Sequence, residues 1–363
     1  MRTSPFAVDV KPDWEGLVTS VMRTGTPSRV HHIELFLDAE VIDAIAQRYG
    51  VLDALDPNDP YFDEKRAVAV QSFLGYDYIR ASLTGWEMPL HYSTAADTAD
   101  LARTGGRDYM NEHAGPITSW AEFEAYPWPD PQTLSTRSLE WYDEHLPDNM
   151  CVIGSGGFAH FAEYLTWLMG YETLCLCLCE QRDLVAAITD KLTAIYRVFL
   201  QRLLQFERVK IIWGSDDMGF RGSTLISPDD LRAFVLPGHK LMAHMAHAAG
   251  RPYLLHSCGN LDLIINDLID DVGIDAKHSF EDTIEKVTEV TDTYGSRIAL
   301  LGGIDVDFLC RADQPAVRQR VRDTLEKCMP RGGYVLGSGN SIANYIPLDN
   351  YLAMVDEGRS FRM

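Results

Sequence analysis

The sequence predicts an α/β protein, a single (β/α)8 barrel of the TIM type, with a helical lead-in over residues 1–28 and an insertion over residues 84–149 after the second strand. Three observations predict it. Short apolar runs alternate with helical patterns along the chain, as βα units of a parallel sheet do. Eight such runs can be counted, the number that closes a barrel and removes sheet edges. The runs are apolar almost throughout, as strands buried on both faces must be. The chain has 363 residues, and barrels of about 250 residues or more form one domain, so 1–363 reads as one unit.

The runs are Val30–Leu37, Tyr76–Leu83, Met150–Gly154, Val209–Gly214, Pro252–Leu255, Ile274–His278, Ile298–Leu301 and Tyr334–Leu336. Between them, Leu184–Phe206 is long and amphipathic. Ser227-Pro228-Asp229-Asp230 combines an N-cap, a proline at the first helical position and acids in the first turn. Asn260–Ile269 opens on a capping residue and carries Leu261, Ile264, Ile265 and Leu268 on one face. Leu174-Cys175-Leu176-Cys177-Leu178-Cys179 alternates as a strand does, but its flanks make it a helix that packs into the core. His239, His244 and His247 fall on the helix before the fifth run, outside the barrel, and read as structural. Pro89, Pro116, Pro127, Pro129 and Pro131 mark the insertion as loops and short helices.

A formal net charge of -21 disfavours nucleic acid and anionic lipid, which reward Lys and Arg. Seven cysteines, an odd number, make no disulfide framework, and no apolar signal segment opens the chain. Both features fit a reducing cytoplasm. No stretch reaches the roughly 18 apolar residues of a membrane span. Neither nucleic acid nor membrane is therefore an expected partner.

Barrel active sites sit at the C-terminal ends of the strands. The residues there are His31, His32 and Glu34; Arg80 and Ser82; Gly154-Ser155-Gly156-Gly157 and His160; Ser215-Asp216-Asp217; His256-Ser257-Cys258; His278, Glu281 and Asp282; Gly302-Gly303 and Asp305; and Ser338-Gly339-Asn340. Ionisable groups gather at one end of nearly every strand, which favours an enzyme. His256 and Cys258, two apart on an extended segment, point the same way. An imidazole and a thiolate suit zinc. A buried thiol beside a hydrogen-bonded histidine would give the same spacing. Adjacent Asp216 and Asp217 point to opposite sides, so one faces the pocket as acid, base or metal ligand; a turn aspartate is the alternative. The glycine run after the third strand fits an anion cradle or a plain tight turn.

Five stretches together resemble the uroporphyrinogen decarboxylase superfamily: Trp213 to Gly219, Leu225-Ile226-Ser227-Pro228, Leu255 to Asn260, Gly273-Ile274-Asp275-Ala276 and Gly302-Gly303-Ile304-Asp305. The resemblance spans roughly residues 15–360 and lies nearer the corrinoid-dependent methyltransferases than the decarboxylases. In that branch a His-x-Cys pair and a later Cys on the eighth strand hold zinc, which activates a thiol or a methyl-bearing heteroatom for exchange with a cob(I)alamin partner. His256 and Cys258 match the pair, and Asn340 stands where the later Cys would be. An amide oxygen is a poor zinc ligand, so His278 and Glu281, then Glu34, are the candidates to complete the site. The resemblance thus implies methyl transfer from a small O-methyl or related substrate to a corrinoid carried by a partner protein. Zinc would rest on His256, Cys258 and His278. Asp216, Asp217 and Glu281 would be catalytic, and Glu34, Arg80, His160, Asn340 and Tyr345 would bind substrate. It also admits a homodimer. Decarboxylation of a tetrapyrrole or other polycarboxylate is the alternative. The decarboxylases' arginine-rich N-terminal segment is missing here, and Arg80 is the one strand-end arginine. A noncatalytic corrinoid or tetrapyrrole carrier is the third reading.

Overall fold

A computed structural model of the chain describes residues 4–362; residues 1–3 of the expected lead-in, and residue 363, lie outside them. The strands in chain order are β1 Tyr78–Ala81, β2 Tyr92–Ala95, β3 Arg107–Met110, β4 Cys151–Gly154, β5 Val209–Ser215, β6 Tyr253–His256, β7 Ala276–His278, β8 Ala299–Leu301 and β9 Tyr334–Val335. Seven of them form one curled parallel sheet in the order β1-β4-β5-β6-β7-β8-β9, and β2 and β3 form a separate antiparallel pair. Helices connect successive parallel strands, the longest being Arg182–Leu203 between β4 and β5. Register levels the strand ends: Ser215 lies opposite His256, and His256 opposite His278. Residues following these strands therefore share one rim. Among the described residues no helix is long and apolar enough to cross a membrane.

The first expected strand differs. Residues 30–37 pair with the segment that follows β9 only through isolated parallel bridges, His32 to Leu336 and Leu37 to Ile342. On the β1 side a side chain takes the place of a ladder. The Tyr78 hydroxyl accepts from the Glu34 N–H at 2.9 Å and donates to the Glu34 carbonyl at 3.2 Å. The backbone N–H and C=O of Glu34 are thus already satisfied on that side, and the hydrogen-bonded sheet has seven strands rather than eight.

His31 and His32 also sit elsewhere than expected. Asp77, which precedes β1, accepts from the Asp13 N–H at 2.6 Å, contacts His31 Nδ1 at 2.7 Å and pairs with Arg29. His32 packs edge-on to Tyr76. Both histidines belong to the N-terminal rim, opposite the site.

Four further segments bear on expectation. Among the described residues the lead-in carries one helix, Trp14–Val21, capped by Asp13 through the Gly16 N–H. Residues 84–149 carry the β2–β3 hairpin besides the helices Trp120–Ala125 and Arg137–His145. Asn260 does not cap a helix: its Oδ1 accepts from the Asp262 N–H at 3.0 Å, closing a local Asx turn. A π-type segment follows at Asp267–Val272, ended by Gly273 at φ 80°. The cysteine-rich segment is the helix Tyr171–Glu180, where Cys177 is buried but Cys175 and Cys179 are exposed. A period of 2 on a 3.6-residue helix spreads alternate residues around it, so only part of the run reaches the core.

Candidate active site

The loops after β5 and β6 lie backbone on backbone. Gly259 has φ 87°, and a Cβ there would stand 2.1 Å from the Gly219 carbonyl carbon. Only glycine tolerates both the backbone angle and the approach. The Asn260 N–H donates to the Phe220 carbonyl at 2.9 Å, and the Cys258 N–H donates to Asp217 Oδ1 at 2.8 Å. The sequence between His256 and Asn260 is thereby held against the sequence between Asp216 and Phe220.

The two aspartates diverge. Asp216 is fully buried and accepts the Ala162 and Glu163 N–H groups at 2.8 and 2.9 Å. These are the free donors at the start of the helix Phe161–Met169. Its Oδ2 also meets His239 Nε2 at 2.9 Å, and His239 Nδ1 meets the Tyr253 hydroxyl at 3.0 Å. Its carboxylate is thus consumed by structural partners. Asp217 points to the rim.

Asp217, His256 and Cys258 converge there. Their ligand atoms all lie within 4.8 Å of one another, the one such group of His, Cys, Asp or Glu among the described residues. His256 Nε2 is 3.4 Å from Cys258 Sγ and 3.4 Å from Asp217 Oδ1. Burial pushes the Asp217 carboxyl up, but the hydrogen bond and charge of His256 and the Cys258 N–H outweigh it and hold it at about 2. Burial, then the Asp217 charge, pushes the Cys258 thiol far up. Asn340 Nδ2 donates to Cys258 Sγ at 3.1 Å, and the Ser279 hydroxyl donates at 3.6 Å. A carboxylate and an imidazole beside a thiol, with donors aimed at the sulfur, fit a soft divalent cation.

The other sequence-derived candidates distribute around this cluster. His278 is fully buried, edge-on to Trp213, with Nδ1 at 2.6 Å from His256 Nδ1. It meets the far nitrogen of His256 rather than the sulfur. Glu281, Asn340 and Tyr345 line a cleft of about 280 Å³ together with Asp305. Burial, then the charges of Asp305 and Asp217, raises the Glu281 carboxyl. Arg80 donates to Ser155 Oγ at 2.9 Å and lies over the Trp213 ring at 5.3 Å. Burial lowers it to about 10. His160 Nδ1 contacts Glu163 Oε2 at 2.5 Å. Burial pulls His160 down, and the Glu163 carboxylate pulls it above its usual value. Glu34 is buried and accepts from the Ser338 N–H and hydroxyl; burial pushes it up to about 8, against those two bonds.

Sequence reasoning missed Glu163 and Ser279, and read His239 as structural, which its contacts with Asp216 and Tyr253 bear out. Glu163 and Ser279 sit three residues after His160 and one after His278, so proximity to named candidates was the available signal. Nothing in the spacing links His239 to Asp216.

The family profile described as "Uroporphyrinogen decarboxylase (URO-D)" matches residues 111–361. Over 133 residues the chain is 31% identical to the methylated-thiol–coenzyme M methyltransferase of Methanosarcina mazei, a match covering 37% of this chain and 34% of that protein. The match thus spans about a third of that relative's length. A solved structure of a methyltransferase from Methanosarcina mazei superposes with a TM-score of 0.66 at 16% identity, covering 94% of this chain and 97% of the other. At that identity the likeness is one of fold.

Proposed function

The chain belongs to the uroporphyrinogen decarboxylase family, and on that premise we propose that it is a methyltransferase. It would move a methyl group from a small O-methyl or related substrate to a corrinoid carried by a partner protein. The observation that carries this reading is the convergence of Asp217, His256 and Cys258 at the ends of two adjacent strands. The similarity to a methylated-thiol–coenzyme M methyltransferase supports it.

The donor set fits zinc, and Asp217, His256 and Cys258 would hold it. A bound zinc ion would supply Lewis acidity toward the sulfur or oxygen that carries the methyl group. The chain's own groups do the rest. Asn340 and Ser279 direct donors at Cys258 Sγ and stabilise negative charge on it. The cleft between Glu281, Asp305 and Tyr345 opens beside Asn340 and is the proposed seat of the methyl donor. When the methyl leaves for cobalt, its heteroatom keeps the bonding pair and needs a proton. Glu281, whose carboxyl is raised by burial and by the charges of Asp305 and Asp217, would deliver it beside the cleft.

Metal analysis of the purified chain tests the reading together with a transfer assay. Methyl ethers and methylated thiols are offered to free cob(I)alamin, and formation of methylcobalamin is followed by absorbance. About one zinc per chain and its loss in Cys258→Ser are expected. Zinc-free protein whose transfer survives Cys258→Ser would sink the proposal. Conversion of uroporphyrinogen by the same preparation would instead favour decarboxylation.

A further inference from the structure

Arg80 is the half-buried arginine of β1. Its guanidinium lies over the ring of Trp213 on β5 at 5.3 Å, past the intervening β4. Side chains converge on the concave face of a curled sheet, so a contact that skips a strand places both residues on that face. Trp213 meets His278 of β7 edge-on at 5.5 Å, and the His278 ring meets the His256 ring at 4.9 Å. Three successive contacts thus lead across the concave face from Arg80 to the cluster of Asp217, His256 and Cys258.

Arg80 is a cation without an anion. Burial lowers it to about 10, which leaves it charged at neutral pH. Its Nε donates to Ser155 Oγ at 2.9 Å. Among the described residues no carboxylate pairs with it, and neither Nη1 nor Nη2 finds a hydrogen-bond partner. Both stay open to solvent rather than sealed in. A cation drawn from water without a partner is costly. Ser155 and Trp213 fix the guanidinium and leave its Nη1–Nη2 edge free, an edge that takes a carboxylate in two parallel bonds. Gly156 and Gly157 follow Ser155 and put no side chain beside it. The cleft beside Asn340 has the other sign, with Glu281, Asp305 and Asp307 in its wall. An acid at this rim is therefore turned with its carboxylate toward Arg80 and its other end toward the cleft.

We propose that Arg80 anchors a carboxylate on the methyl donor, so that the substrate is a small methoxy or methylthio acid rather than a neutral ether. The carboxylate is a handle and takes no part in the transfer itself. The anchor orients the donor across the concave face and selects it by charge. That the acid is a methyl donor rests on the methyl-transfer reading above; the anion site at Arg80 does not.

The test has two arms on the full chain. In the first, matched pairs that differ only in the acid are titrated by calorimetry without corrinoid: methoxyacetate against methoxyethanol, methoxypropionate against methoxypropanol, and methoxybenzoate against methoxybenzyl alcohol. Wild type is expected to bind an acid roughly 10–100-fold more tightly than its alcohol. Arg80→Met should abolish that preference, and Arg80→Lys, which keeps the charge without the fork, should retain part of it. No acid preferred by wild type overturns the inference, as does a preference that survives in Arg80→Met. Should Arg80→Met fail to fold, an undiminished preference in Arg80→Lys overturns it. In the second arm the same pairs are offered with cob(I)alamin, and methylcobalamin is followed by absorbance. Transfer from the alcohols as readily as from the acids overturns the inference and leaves the methyl-transfer reading standing. Acids that bind through Arg80 but yield no methylcobalamin support the anion site and defeat the methyl-transfer reading instead.

Discussion

Two neighbouring aspartates at the end of β5 make opposite predictions. Asp216 is a buried anion held by two backbone N–H groups and His239. Removing it strands those donors, so Asp216→Ala should cost about 3–5 kcal/mol in chemical denaturation. Asp217 lies at the rim, and Asp217→Asn should change stability by less than about 1 kcal/mol while weakening zinc uptake. Asn340 donates to Cys258 Sγ at 3.1 Å. Asn340→Cys would place a second sulfur beside the first and should tighten zinc binding in chelator competition. Glu34 supplies a pH signature. Its folded-state acidity is pushed up to about 8 by burial, whereas an unfolded glutamate titrates near about 4.3. Between those values the unfolded chain is ionised and the folded one is not. The stability conferred by neutral Glu34 is therefore complete below about pH 4 and lost as pH rises toward about 8. Glu34→Gln should match wild type at the acidic end and exceed it by on the order of a few kcal/mol near pH 8. Melting temperatures across that range, parallel in both proteins, would contradict this.

Among the elements, the contact between the loops at Gly219 and Gly259 decides whether the cluster forms. Gly259→Ala adds a Cβ at a positive φ against backbone. It should destabilise the chain by roughly 1–3 kcal/mol and, by moving Cys258 from Asp217, loosen the metal site more than the fold. The parallel strands from β4 to β9 were legible because a strand buried on both faces must be apolar throughout, as Leu254, Leu255, Leu300 and Leu301 are. Residues 30–37, with five apolar residues of eight, also read as a strand in sequence. Facing β1, the Tyr78 hydroxyl takes the backbone groups of Glu34 in place of a ladder pair, a contact across 44 residues that no local pattern encodes. The β2–β3 hairpin was invisible for another reason: Tyr92 and Tyr109 are exposed, so no buried face imposes the alternation by which strands are read.

At the scale of the whole molecule the two rims divide stability from chemistry, as barrel architectures do. Asp77, fully buried at the N-terminal rim, gathers Asp13, Arg29 and His31. Asp77→Ala should lower stability by about 3–5 kcal/mol, while zinc stoichiometry per folded chain stays unchanged. Equal loss of metal and stability would show the rims to be coupled.

The sequence by itself determined the βα alternation, the family, and the placing of His256, Cys258, Asp217 and Asn340 at strand ends, because strand period and burial are written locally. Only the tertiary structure decided which nitrogen of His256 faces Cys258, which aspartate reaches the rim, and that Asn340 meets the sulfur. Those outcomes depend on register between strands and on loop contacts between residues far apart in sequence (41 positions from Asp217 to Cys258, 82 from Cys258 to Asn340). Such distances are fixed by packing the whole sheet, not by any neighbouring residue.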